Sequence, residues 1–191
     1  MPVPFRDDDD IQELGSAAFL KVARLDNTSA LAGALFLVNG RGEPLEFAYN
    51  RIELPQSVLW RQTDLRRHAE RKLTASLLGV CAGNPALVLC LADEVASELF
   101  CQDVRVAMPV ARIGQPSYTS SYAASETQED IEHPQHPQPV HLFWFPSPPA
   151  AGSTERRLIE RLVGHSLLLE PFERASRGLQ EVYSSQHDTV P

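Results

Sequence analysis

The segment from Leu31 to Val38 is continuously apolar and stops at Asn39-Gly40-Arg41-Gly42, after which Leu45-Glu46-Phe47-Ala48-Tyr49 alternates apolar with polar or small residues. An Asn-Gly pair tolerates the positive φ that a tight turn requires, so the two segments read as one antiparallel hairpin. No other feature of the chain constrains its fold as strongly.

The neighbouring segments extend this unit. Ala17 to Leu25 is an apolar run interrupted by Lys21 and Arg24, has the length of a strand, and is broken by the turn residues Asp26-Asn27-Thr28-Ser29. Pro55 closes the strand after the hairpin, and Ser57 is placed to cap a long helix. In that helix Val58, Leu65, Ala69, Leu73, Ser76 or Leu77, and Val80 recur at helical intervals, and Gly83-Asn84-Pro85 stops it. Ala86 to Ala92 is an unbroken apolar run of strand length, which predicts a central strand covered on both faces. Asp93-Glu94 then opens a short helix to about Phe100, and Val104 to Ile113 supplies another extended segment.

Residues 114–139 are rich in Ser, Gln, Pro, Glu and Thr and poor in aliphatics, the composition of a disordered linker that cannot offset its own ordering entropy. Beyond it, His141 to Phe145 has strand composition, and Pro146 marks that strand as an edge. Two amphipathic helices follow, the first capped by Ser153 or Thr154 and the second opening at Pro171. The expected organisation is an acidic tail with a short helix capped by Asp10 over 1–15, an α/β core over 16–113, and the linker. A strand and two helices packing on the core then occupy 140–183, and 184–191 is a frayed tail.

Seventeen Lys and Arg against twenty-five Asp and Glu give a formal charge of −8, so nucleic acid or anionic lipid would need a local basic patch. No apolar run approaches the roughly 18 residues of a membrane span, and four consecutive aspartates stand where a signal peptide carries positive charge. A cytoplasmic location and no membrane partner are expected. Cys81, Cys90 and Cys101 have no zinc-binding spacing and read as buried thiols. Motifs that cradle nucleotides or form hydrolase elbows are missing, so no nucleotide cofactor is expected.

The order of three strands with a hairpin, a long helix, a strand ending in an acid, a helix and a further strand resembles the ribonuclease H-like superfamily over residues 17–113. The resemblance implies an α/β fold with a mixed five-stranded sheet, helices packed on it and, here, a helical C-terminal extension. It also implies carboxylates near the ends of the first and fourth strands and on the first helix, holding two divalent cations about 3.5 to 4 Å apart for attack on a phosphodiester. Glu70, in Arg67-His68-Ala69-Glu70-Arg71-Lys72, and Asp93, after Leu87-Val88-Leu89-Cys90-Leu91-Ala92, match in kind. Asp26 is the nearest acid to the first strand, whose interior carries Lys21 and Arg24 where the superfamily carries an Asp; a later helix offers Glu173 and Glu181.

Each of these residues also has a structural reading. Glu70 is placed to pair with Arg66, Asp93 to cap a helix, and Asp26 to form an Asx turn. Arg61, Arg67, Arg71 and Lys72 are the candidate phosphate contacts, interleaved with Asp64 and Glu70. His133, His136 and His141 are a weaker candidate imidazole set in Pro-rich surroundings. Two functions are expected from these residues. One is a catalytically inactive ribonuclease H-like domain that acts as an accessory subunit, with a protein or nucleic-acid partner and no cofactor. The alternative is a nuclease dependent on Mg2+ or Mn2+, with Glu70 and Asp93 as metal ligands and Asp26, Glu70 and Asp93 as its catalytic acids.

Overall fold

The computed structural model describes residues 14–24, 30–54, 59–115, 125–134 and 137–184. The expected cap at Asp10, the turn from Asp26 to Ser29 and the cap at Ser57 lie outside them. The strands are β1 (Ser16–Arg24), β2 (Ala30–Asn39), β3 (Pro44–Glu53), β4 (Leu87–Leu91), β5 (Val110–Gly114), β6 (Thr127–Ile131) and β7 (Val140–Phe145). The helices are α1 (Gln62–Val80), α2 (Thr154–Gly164) and α3 (Glu170–Ser184). All the strands join one sheet in the order β3-β2-β1-β4-β5-β7-β6. β1 is antiparallel to β2 and parallel to β4, β4 is parallel to β5, and β7 runs antiparallel to both β5 and β6.

The β2–β3 hairpin forms as its sequence predicts, with different turn chemistry. Gly42, at φ +77°, carries the left-handed conformation, and Gly40 does not. Asn39 organises the loop with its side chain, accepting from the Arg41 amide at 2.9 Å and the Glu43 amide at 3.0 Å through Oδ1 and donating to Glu43 Oε2 at 2.6 Å. Asparagine serves here as a template for the loop as well as a turn former.

Strand alternation divides the interior into two cores. Ala17 and Phe19 of β1 and Leu87 and Leu89 of β4 face α2 and α3. Ala18, Leu20 and Val22, with Val88 and Cys90, face α1. Both strands are therefore apolar on both faces, Ser16, Lys21 and Arg24 of β1 excepted, because the layers on either side keep them from water. On α1, Leu65, Ala69, Leu73 and Leu77 form the buried stripe. Leu73 sits so close to β2 that a Cβ added at Gly33 would meet its Cδ2 at 2.8 Å and the Lys21 carbonyl oxygen at 3.0 Å. The helix ends as Gly83-Asn84-Pro85 predicts. Glu46 of β3 anchors that exit by accepting from the Ala82 and Gly83 amides at 2.9 and 2.8 Å, and these bonds hold its carboxyl below the usual carboxylate range.

The sheet has seven strands, two more than expected. The additional pair is β6 and β7, and β6 lies inside the stretch read as linker. Its sequence Thr-Gln-Glu-Asp-Ile is polar because β6 is an edge strand, and polar side chains fix it in place. Glu129 accepts from Trp144 Nε1 at 2.8 Å and from Arg156 at 2.6 Å. Just before β6, Glu126 pairs at 3.1 Å with Arg112 of β5, both side chains being under 5% exposed. With β6 on its outer side, β7 is an internal strand and not the edge that Pro146 suggested; Val140, Leu142 and Trp144 are fully buried.

The helix expected from Asp93 to Phe100 is a series of turns leading to a π-helical turn over Leu99–Asp103, and the extended segment from Val104 narrows to β5. α2 is capped by Ser153, whose hydroxyl accepts from the Arg156 amide at 3.2 Å. Among the described residues, no helix is long and apolar enough to cross a membrane.

The contact at Gly33 gives a direct test of this packing. Gly33→Ala is expected to lower unfolding stability by about 1 to 3 kcal/mol, the usual cost of overpacking a tight core. The midpoint of urea denaturation reads the change, and an unchanged midpoint would show that α1 does not rest on β2 at this distance.

Candidate functional site

The site lies where β4 ends and α1 passes over it. After Leu91 the chain turns, with the Glu94 and Val95 amides both donating to the Leu91 carbonyl, and this presents Asp93 and Glu94 at the strand's C-terminal end. Open parallel sheets place ligand crevices at this end of their strands. Glu70 approaches from α1 and is 3% exposed, although it stands on a helix that is otherwise charged on its outer side. Glu70, Asp93 and Glu94 line one cleft of about 500 Å3 together with Arg66, Arg67 and Asp103. The two acids expected on the helix and after the fourth strand thus border the same space, while Asp26 lies outside the described residues.

Glu70 is already engaged, with Arg66 Nε donating to its Oε1 at 2.6 Å, the (i, i+4) pair that the spacing allowed. Glu94 is engaged more deeply. It forms an ion pair with Lys21, from the interior of β1, and its other oxygen accepts from the Val22 amide at 3.3 Å. The two side chains are 14% and 18% exposed. Burial pushes the Glu94 carboxyl above its ordinary value, opposed by the Lys21 ammonium and the Val22 amide. Lys21 also borders a second depression, of about 570 Å3, with Glu170, Phe172 and Glu173 of α3. The Lys21–Glu94 pair therefore stands between the two hollows.

Among the described residues, no three His, Cys, Asp or Glu side chains converge to hold a cation. Two of the acids bordering the cleft are held by Arg66 and Lys21, cations that oppose a second positive charge. The histidines form no such group either. His133 is buried in the loop after β6, His141 of β7 contacts Asp130 at 2.7 Å, and His136 lies outside the described residues.

The expected phosphate contacts divide in two. Arg67 is committed to Asp103, donating from Nε at 2.6 Å and from its terminal nitrogen at 2.8 Å, with a further bond to Gln102 at 3.0 Å. This fork holds the Asp103 carboxyl below its ordinary range and raises the Arg67 guanidinium. Arg61, Arg71 and Lys72 are exposed and form no ion pair among the described residues; Arg71 approaches the His68 ring at 3.4 Å. Sequence reasoning missed Asp103, which a motif scan passes over because its partner is 36 residues away, and it missed that Lys21 would find Glu94.

No family model matches the sequence, and no curated protein matches it. Solved structures do. Endonuclease V from Streptomyces avermitilis superposes with a TM-score of 0.55 at 14% identity, covering 91% of this chain and 83% of that one. Endonuclease V from Bacillus subtilis gives 0.55 at 11% over 90% and 82%. The catalytic domain of human Endonuclease V gives 0.57 at 8% over 89% and 84%. The chain has a ribonuclease H-like fold. Coverage of about nine-tenths of the chain carries the likeness beyond the residues 17–113 on which the sequence resemblance rested. The interior of β1 carries an ammonium, Lys21, where the sequence resemblance implied a carboxylate.

Replacing that ammonium reports on the pair directly. Lys21→Met removes the charge and hydrogen bond that pull the Glu94 titration down, so its midpoint rises further. A carboxyl with a raised folded pKa gives stability that is present below the unfolded value and lost as pH rises through the folded one, so this window of loss extends to higher pH in the variant. Carboxyl carbon chemical shifts against pH measure the midpoint, and an unmoved one would refute the pairing.

Proposed function

We propose that this chain is a ribonuclease H-like domain that handles nucleic acid by binding it, as an accessory unit that does not cleave. The observation that carries the reading is the Lys21 ammonium inside β1, paired with Glu94 at the end of β4. Two-metal hydrolysis needs hard oxygen donors grouped around two cations. A buried ammonium neutralises one of the acids beside the cleft and repels a metal from the strand that would hold it. The exposed Arg61, at the cap of α1, and Arg71 and Lys72 on it support binding, since cations with no ion pair among the described residues supply the local field that an acidic chain otherwise lacks.

A second reading rests on its own observation. Glu70 and Asp93 line one cleft, as the acids of a metal-dependent nuclease would, and the superposed Endonuclease V structures are named as nucleases. In that reading Glu70, given up by Arg66, and Asp93 would hold Mg2+ or Mn2+, which would supply Lewis-acid activation of water for phosphodiester hydrolysis.

One assay separates the two. The chain is incubated with mixed DNA and RNA substrates and Mn2+, beside Glu70→Gln and Asp93→Asn, while binding is followed by fluorescence anisotropy. The expected result is binding without cleavage above that of the variants. Cleavage abolished in both variants would establish the nuclease instead, and absence of binding to every substrate would remove both readings.

A further inference from the structure

Five cations and two carboxylates fall between Arg61 and Lys72, and at the start of this stretch stands an aromatic residue that the fold does not use. Trp60, just before α1, is 51% exposed, and Leu59 beside it is 95% exposed. An indole left half in water forfeits much of the apolar burial for which such a side chain is usually kept. Its ring lies 5.8 Å from the His68 ring, one to two turns along α1, at an interplanar angle of 58°. The two rings are splayed and leave aromatic surface open. His68 continues into a hollow of about 170 Å3 lined with Arg67, Arg71, Asp64 and Asp103. Arg67, Asp64 and Asp103 also line the cleft that holds Glu70 and Asp93, so the aromatic pair and the cleft form one continuous surface.

The charges around the aromatic pair favour a polyanion once the committed pairs are set aside. Arg67 is held by Asp103 and Arg66 by Glu70, which leaves Arg61, Arg71 and Lys72 against Asp64 there, while Asp93 and Glu98 lie further along, in the cleft. Exposed aromatic surface flanked by exposed guanidinium groups that form no ion pair among the described residues matches a ligand that alternates flat π-faces with phosphates. Bases inside a duplex are already stacked on both sides, whereas an unpaired base has a free face.

We propose that Trp60 and His68 form a stacking platform for a single-stranded nucleic acid whose backbone is tracked by Arg61 and Arg71 towards the Glu70–Asp93 cleft. This rests on the nucleic-acid-binding reading above and deepens it by naming the strand class and the contact. A protein partner would use the same apolar residues without requiring the neighbouring cations.

The chain provides its own probe. Of its two tryptophans, Trp144 is fully buried with its indole nitrogen bonded to Glu129, so an added ligand reaches only Trp60. Intrinsic fluorescence is followed while an unlabelled oligothymidylate, a duplex of equal length, or inorganic polyphosphate is added, and anisotropy with labelled forms of the two DNAs measures affinity in parallel. The expected result is quenching by the single strand alone. Trp60→Ala is expected to weaken single-strand binding by roughly ten-fold or more, the range for loss of one base–aromatic stack, with the slope of affinity against salt unchanged. Arg61→Gln with Arg71→Gln should instead flatten that slope. Far-UV circular dichroism verifies that each variant is folded.

Binding of the single strand by anisotropy with no quenching and no loss in Trp60→Ala would overturn the platform and leave the binding reading standing. Binding to no nucleic acid would remove both. A Trp60 emission that shifts with protein concentration alone would assign the surface to a contact between copies of the chain and overturn the proposal.

Discussion

The architecture depends on β1 and β4 lying side by side with apolar cover on both faces. Every second residue of each strand enters the α1 layer and the others enter the layer of α2 and α3. Neither helical layer would be stable in water alone, because helices of this length draw most of their stability from packing. The approach of Leu73 to Gly33 lets α1 sit low on the sheet, and that height sets where Glu70 stands relative to the turn after β4.

A charge inside such a strand has to be accounted for. Lys21 is the cation that β1 carries between its apolar neighbours, and taking it out of water costs several kcal/mol unless a partner compensates. Glu94 provides the compensation from across the β4 turn, and the Val22 amide fixes the second oxygen. The same pair that reconciles a lysine with the centre of the sheet sets the electrostatics of the cleft.

Much of this was legible in the sequence. The hairpin, the long helix and the strand ending at Asp93 follow from period and punctuation, and they were enough to suggest the superfamily. Glu70 and Asp93 were legible as candidates because their neighbours mark a helix and a strand end. β6 was not legible, since Thr-Gln-Glu-Asp-Ile lacks apolar alternation, its two β-branched residues standing only at its ends, and is held by Glu126 and Glu129, whose partners Arg112 and Arg156 are distant in sequence. The position of β7 was misread for a related reason. Proline after a strand indicates where it ends and says nothing about what pairs alongside it. The Lys21–Glu94 pair spans 73 residues, so no local pattern could announce it.

The placement of β6 has a consequence for solubility. β7 is the most aromatic strand of the sheet, and its free side would be a ready template for another chain's backbone. β6 occupies that side with a short polar segment in which Glu129 is taken up by Trp144 and Arg156 while Thr127, Gln128 and Asp130 face water, so the outermost rim of the sheet is hydrophilic. A segment with the composition of a spacer thus acts as a gatekeeper, concealing an adhesive strand behind one that water solvates well.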